Sequence, residues 1–209
     1  MLVKHLKNKA AVHRKIKRKG IKMNISYEKK PSMTFIGFST SIRPEEGYAK
    51  CPEFWDREYA QKYARLWKTI QPETPVEKAI LENGIGMFAI CDEKENSFEY
   101  WIAGLYQGGE VPEGLELYSF PESEWAVFSA KGPLPASLQN LNTQVWQDWY
   151  PNEGRKYMDN GNAMLEVYSP GDMQSPDYEC GIWVPICRPD QTQDETAETV
   201  AAMTMMGIL

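Results

Sequence analysis

The chain has 209 residues, 42% of them apolar and 25% charged, with a net charge of −6; this is ordinary globular composition, with enough length to bury a sizeable core. Four cysteines without a C-x-x-C pair argue against a disulfide framework, and two histidines, His5 and His13, both near the start, leave no Cys/His metal set. No apolar run approaches the roughly 20 residues of a membrane span, and the basic start lacks the apolar stretch of a secretory signal. The expectation is therefore a cytoplasmic chain with no membrane partner and no cofactor.

The charge is unevenly spread. Residues 1–22 carry nine Lys or Arg and no acid, while the other fourteen face all 29 acids, so the remainder sums to −15. A phosphate backbone would repel such a body, so nucleic acid contact is expected only through residues 1–22. That stretch is too short for a packed helix-turn-helix and equally reads as a solvated tail or a remnant. The expected division is a basic arm over 1–22, a domain over 23–187 and a polar, acidic tail over 188–209.

Within the domain, Asn24–Glu28 alternates as a strand, Pro31-Ser32 is a turn, and Thr34–Ser39 is a second strand in which Gly37 marks a bulge or a close backbone approach. A helix is predicted over 52–71, with Pro52 in its first turn and Phe54, Trp55, Tyr59, Tyr63, Leu66, Trp67 and Ile70 on one face. Gly84–Cys91 and Phe98–Gln107 read as a hairpin. Leu115–Phe120 and Glu124–Ala130 are strands, Leu134–Trp149 a helix, and Ala163–Ser169 and Tyr178–Ile186 the last strands. Strand, strand, helix, strand, strand thus occurs twice. The expected fold is α+β: a duplicated β-β-α-β-β module forming an antiparallel sheet, with helices packed on one side and a central ligand groove.

Four stretches carry a resemblance to a known family. They are Glu28–Gly37 (EKKPSMTFIG); Pro52-Glu53-Phe54-Trp55; Val111–Glu116 (VPEGLE) with Pro121–Phe128 (PESEWAVF); and Met164–Tyr168 (MLEVY) with Tyr178–Ile186 (YECGIWVPI). In this order and spacing the chain resembles the GyrI-like, or AraC-type, effector-binding domain across about residues 23–187. The resemblance implies an apolar groove between the two modules, holding a buried acid that meets cationic or polar ligands. It implies a sensor of drugs or metabolites, either stand-alone or working with a transcription regulator. In a few lines it implies a hydrolase of strained cyclopropane-type electrophiles.

Glu166 is the first candidate, because it interrupts an apolar strand and shares a face with Met164 and Tyr168; a carboxylate there is paired, hydrated or functional, or it faces solvent. Glu179, Gly181 and Trp183 share a face of the last strand. Many relatives carry an acid at the place of Gly181, so Glu179 either substitutes for it or that contact is missing. Glu99, Trp101 and Tyr106 occupy the related strand of the first module. Phe35 is a candidate pocket wall, as are Tyr118 and Phe128, and Trp146, Trp149 and Tyr150 end the second helix. Neither histidine lies in the folded body, which leaves no Ser-His-Asp set. Three activities fit these residues: a ligand-binding sensor or sequestering protein, a hydrolase using Glu and Tyr around bound water, and an accessory regulator reaching DNA through the arm.

Overall fold

The structure, a computed structural model, describes residues 24–57, 78, 84–159 and 163–187. The basic arm, the tail and the part of the predicted 52–71 helix beyond Arg57 lie outside the described residues. The chain forms β1 (Asn24–Lys30), β2 (Met33–Ile42), α1 (Gly47–Phe54), β3 (Phe88–Glu93), β4 (Phe98–Leu105), β5 (Glu116–Phe120), β6 (Ser123–Lys131), α2 (Ala136–Gln144), β7 (Met158–Asp159), β8 (Ala163–Tyr168) and β9 (Glu179–Cys187). Helix α2 runs on through a π-helical stretch, Val145–Trp149, and a final turn, Tyr150–Asn152.

The first helix starts earlier than its sequence suggests. Pro44, whose fixed φ suits a first turn, opens a 3-10 turn (Pro44–Glu46) that passes directly into α1. Pro52 therefore lies inside α1 and not at its start. The first-module strand is also shorter than its apolar run: Gly84 to Met87 form a turn, and only Phe88 onward pairs. Met87 N–H closes that turn on Gly84 O, and Gly86 N–H bonds Ala103 O, which seats the turn on β4.

All strand pairs are antiparallel, and the sheet order is β1-β6-β9-β8-β3-β4-β2-β5, with β7 on β9. The order reads the same from both ends once β1 is matched with β5, β2 with β6, β3 with β8 and β4 with β9. The duplication is therefore real, and each module gives its first strand to the other. β1 pairs with β6 and β5 with β2, so the two strands flanking Pro31-Ser32 are not a hairpin.

This exchange forces the sheet to curl. β1 and β2 stand first and seventh in the order, about 29 Å apart in a flat sheet. The chain from Lys30 to Met33 spans at most about 11 Å. The same holds for β5 and β6. Lys30 lies opposite Ser123 and Met33 opposite Phe120, so the two links run side by side and pull the ends together.

The two faces of the curled sheet build two cores. On one face, α1 and α2 cover Phe38, Ile102, Phe128, Ile182 and Met164 with Phe54, Leu138, Leu141, Val145 and Trp149. The other face closes on itself around Phe35, Ile90, Trp101, Trp125 and Leu165. There the rings make a closed circuit of neighbours: Phe35–Phe120 at 5.8 Å, Phe120–Trp125 at 5.1 Å, Trp125–Trp183 at 6.4 Å, Trp183–Phe88 at 6.4 Å and Phe88–Phe35 at 5.0 Å. Edge-on contacts of this kind add to the burial of the rings themselves.

Candidate functional site

The centre of the duplicated sheet is the β3–β8 pair, in which Ala89 lies opposite Glu166. Strand alternation puts Met164, Glu166 and Tyr168 on the helix-covered face. Tyr168 donates its hydroxyl to Glu166 Oε2 at 2.8 Å, and Tyr100, from β4, donates to the same oxygen at 3.2 Å. Trp55, just past α1, donates its indole N–H to the Tyr100 hydroxyl oxygen at 2.8 Å. The Trp55 ring meets Tyr168 edge-on at 5.3 Å, and Phe54 meets Tyr100 at 6.3 Å. Three elements, α1, β4 and β8, thus converge on one carboxyl group.

Burial raises the Glu166 pKa above the ordinary carboxylate range, and the Tyr168 and Tyr100 hydrogen bonds only partly offset it. The residue is nonetheless half-buried and not sealed. Two thiols feel its charge. Cys51 is pushed up to about 12 by burial and then by Glu166, and Cys91 is pushed up by burial, Glu166 and Cys51. Both are therefore neutral at physiological pH and are soft walls, not nucleophiles. Chemically, the arrangement is one acid in an aromatic and thiol surround, suited to hold a cation.

A stability test follows from this pKa. An acid whose pKa is raised by folding binds more protons in the native state, so its contribution is full at low pH and is lost as pH rises through the folded value. Glu166→Gln removes that slope. Its thermal midpoint, measured by circular dichroism between about pH 4 and about pH 8, will gain on wild type as pH rises. A gap that stays constant with pH would show that Glu166 ionises at an ordinary value.

Of the candidates read from sequence, Glu166 and Tyr168 are brought together. Trp146 and Tyr106 border the same helix-side core, where Trp146 meets Tyr150 at 5.4 Å and Tyr106 donates to Gly109 O. Five others lie away from Glu166. Glu179 is exposed at the start of β9 and pairs with Lys131 at 2.9 Å, so it does not replace an acid at Gly181. Trp183 is in register with Leu165, on the face opposite Glu166, with Lys30 Nζ 4.1 Å over its ring. Phe35 and Trp101 are buried in that same inner cluster, Trp101 against Tyr118 at 5.4 Å. Glu99 is opposite Asp92 there, and Asp92 is held by Lys94 at 2.7 Å.

Sequence reading passed over Tyr100, Trp55, Cys51 and Cys91 as site residues. Their face could be read from alternation, but their meeting with Glu166 depends on strand register, which one sequence does not carry. Among the described residues, no three or more His, Cys, Asp or Glu are grouped to hold a metal ion, and no helix is long and apolar enough to cross a membrane.

Residues 27–186 match the sequence profile of the integron-associated effector binding proteins, Cass2. The chain belongs to that family. Three solved structures share the Cass2-type fold with it. SAV2435 bound to tetraphenylphosphonium is 18% identical at a TM-score of 0.64, covering 78% of this chain and 93% of its own. A Staphylococcus aureus MU50 protein assigned to bacterial transcription regulation is 19% identical at a TM-score of 0.62, covering 79% of this chain and 99% of its own. The integron cassette protein VCH_CASS2 from the mobile metagenome of Vibrio cholerae is 16% identical at a TM-score of 0.52, covering 78% and 95%. No match is found among curated proteins.

Proposed function

We propose that this effector-binding chain takes a hydrophobic, positively charged small molecule over the β3–β8 pair, with Glu166 as the counter-charge and Trp55, Tyr100 and Tyr168 as the aromatic surround. The observation that carries this reading is a single carboxyl group, set in the sheet centre and ringed by aromatic and neutral thiol side chains, with no cation of the chain paired to it among the described residues. A desolvated acid without a counter-charge is costly even when hydrogen-bonded, and a cationic ligand relieves that cost. The tetraphenylphosphonium held by SAV2435 is a ligand of the same chemistry.

In this reading the domain spans residues 23–187 and works in the cytoplasm as a sensor or sequestering protein, as the resemblance to GyrI-like and AraC-type effector-binding domains implies. A transcription regulator is the natural protein partner, in keeping with the Staphylococcus aureus relative. Titration of lipophilic cationic dyes, read by tryptophan fluorescence, tests the reading. Wild type will bind saturably, and Glu166→Gln will bind about ten- to a hundredfold more weakly, the margin of a lost charge-assisted contact. Absence of binding by any cation, or equal binding by the variant, would sink it.

A further inference from the structure

The hydrogen bonds at Glu166 are one-sided. Tyr100 and Tyr168 both donate to Oε2, and neither hydroxyl proton is left over for a ligand. Trp55 fixes this arrangement: its N–H takes an acceptor position on the Tyr100 oxygen, which leaves the Tyr100 proton directed at Oε2. The other oxygen, Oε1, has no donor among the described residues, and it is not sealed from solvent in the way that Trp101 Nε1, Trp125 Nε1 and Asn142 Oδ1 are. The residues flanking Glu166 across the sheet are Ala89 and Ile182, neither of which can donate from its side chain. The site therefore offers an open, charged acceptor over an apolar floor, and its hydroxyl donors are already committed.

Resting on the cation-binding reading above, we infer that the site selects cations that carry an N–H donor, protonated amines and amidines, over quaternary cations of the same shape, and that Trp55 is the positioning residue behind this selectivity. A quaternary cation satisfies the charge of Glu166 but leaves Oε1 without a hydrogen bond. A protonated amine supplies both, and a charge-assisted hydrogen bond is about twice as strong as a neutral one. Ligands that bring only acceptors, and anions above all, find nothing here to donate to them.

Two fluorescent probes that differ in one group test this: pyrenylmethyl-dimethylammonium, with one N–H, and pyrenylmethyl-trimethylammonium, with a methyl in its place. Wild type will bind the first about tenfold tighter. In Trp55→Phe the gap will shrink to about twofold, because the Tyr100 hydroxyl, no longer fixed on Oε2, is free to turn and satisfy Oε1. In the same variant, the pH at which acidification abolishes binding will move up, since the carboxylate loses a directed donor. Tyr100→Phe, which keeps the ring but has no hydroxyl to turn to Oε1, will reproduce the pH change and keep the gap, and it carries the test if Trp55→Phe does not fold. Equal wild-type affinities for the two probes overturn the selectivity. A gap and a pH midpoint that stay at wild-type values in both variants overturn the role of Trp55. If neither probe binds wild type at all, the cation-binding reading itself fails and takes this inference with it.

Discussion

Gly37→Ala will cost the chain a large part of its stability. Gly37 is in the middle of β2, opposite Ala103 on β4 and Glu116 on β5. A methyl group there would sit 2.2 Å from the Ile102 carbonyl oxygen and 2.8 Å from the Ala103 Cα. Both are backbone atoms, so no rotamer change relieves the clash; β2 must move away from β4. That movement breaks the ladder on which β5 also hangs. Overpacking that displaces backbone costs about 3 kcal/mol or more, equivalent to a fall of about 10 °C in the melting temperature of a domain this size. Gly108→Ala is the control: its methyl meets nothing within 4 Å, although its φ of 95° brings modest strain. Thermal melts by circular dichroism will place Gly108→Ala, which carries backbone strain without overlap, between wild type and Gly37→Ala, with Gly37→Ala far the lowest. A Gly37→Ala protein that melts within about 2 °C of wild type would show that the β2–β4 approach is looser than described.

Trp125→Ala will be nearly as damaging, for the opposite reason. Trp125 is fully buried and links β6 to Phe120 on β5 and Trp183 on β9. Its removal empties a segment of the aromatic circuit that closes the inner face, where the described residues put no helix to collapse into the gap. Large-to-small changes of this kind cost about 3–5 kcal/mol. Trp125→Phe separates the contributions. The indole N–H of Trp125 is buried without a partner, so replacing it with a ring of carbon atoms removes a polar group that folding leaves unsatisfied. The phenylalanine variant will therefore lose less than half of what alanine loses, as read from urea midpoints. Equal losses would mean that ring volume has no part in closing this face.

Gly37 also shows where the sequence was legible. Gly37 in an otherwise apolar strand pointed to a close backbone approach, and Ile102 is that approach. The repeated strand, strand, helix, strand, strand order fixed the α+β architecture, because alternation and helical spacing are local properties. Glu166 stood out because a charge between Leu165 and Val167 breaks an apolar run. What stayed hidden was non-local. Trp101 and Trp183 are aromatic strand residues in related modules and look like pocket walls, yet their register puts them on the inner face. Tyr100 and Trp55 join Glu166 across sequence separations that no periodicity reports. Pro52 resembled a helix start because proline favours that position, but Pro44 held it first.

The exchanged first strands also set a timetable. β1 is made early, but its partner β6 is made about 100 residues later, and the pairing of Asn24 with Ser129 spans nearly half the chain. At typical synthesis rates of about 5–20 residues per second, β1 waits about 5–20 s without its ladder. Neither half can close its own sheet in that interval, since β2 waits likewise for β5. Such long-range pairing makes for slow folding, with unpaired strand edges exposed meanwhile. A nascent chain of this topology thus keeps its β1 edge open until β6 clears the ribosome, and the lysines at positions 29 and 30, at the end of β1, are the kind of charge that keeps a waiting edge from pairing with a neighbour.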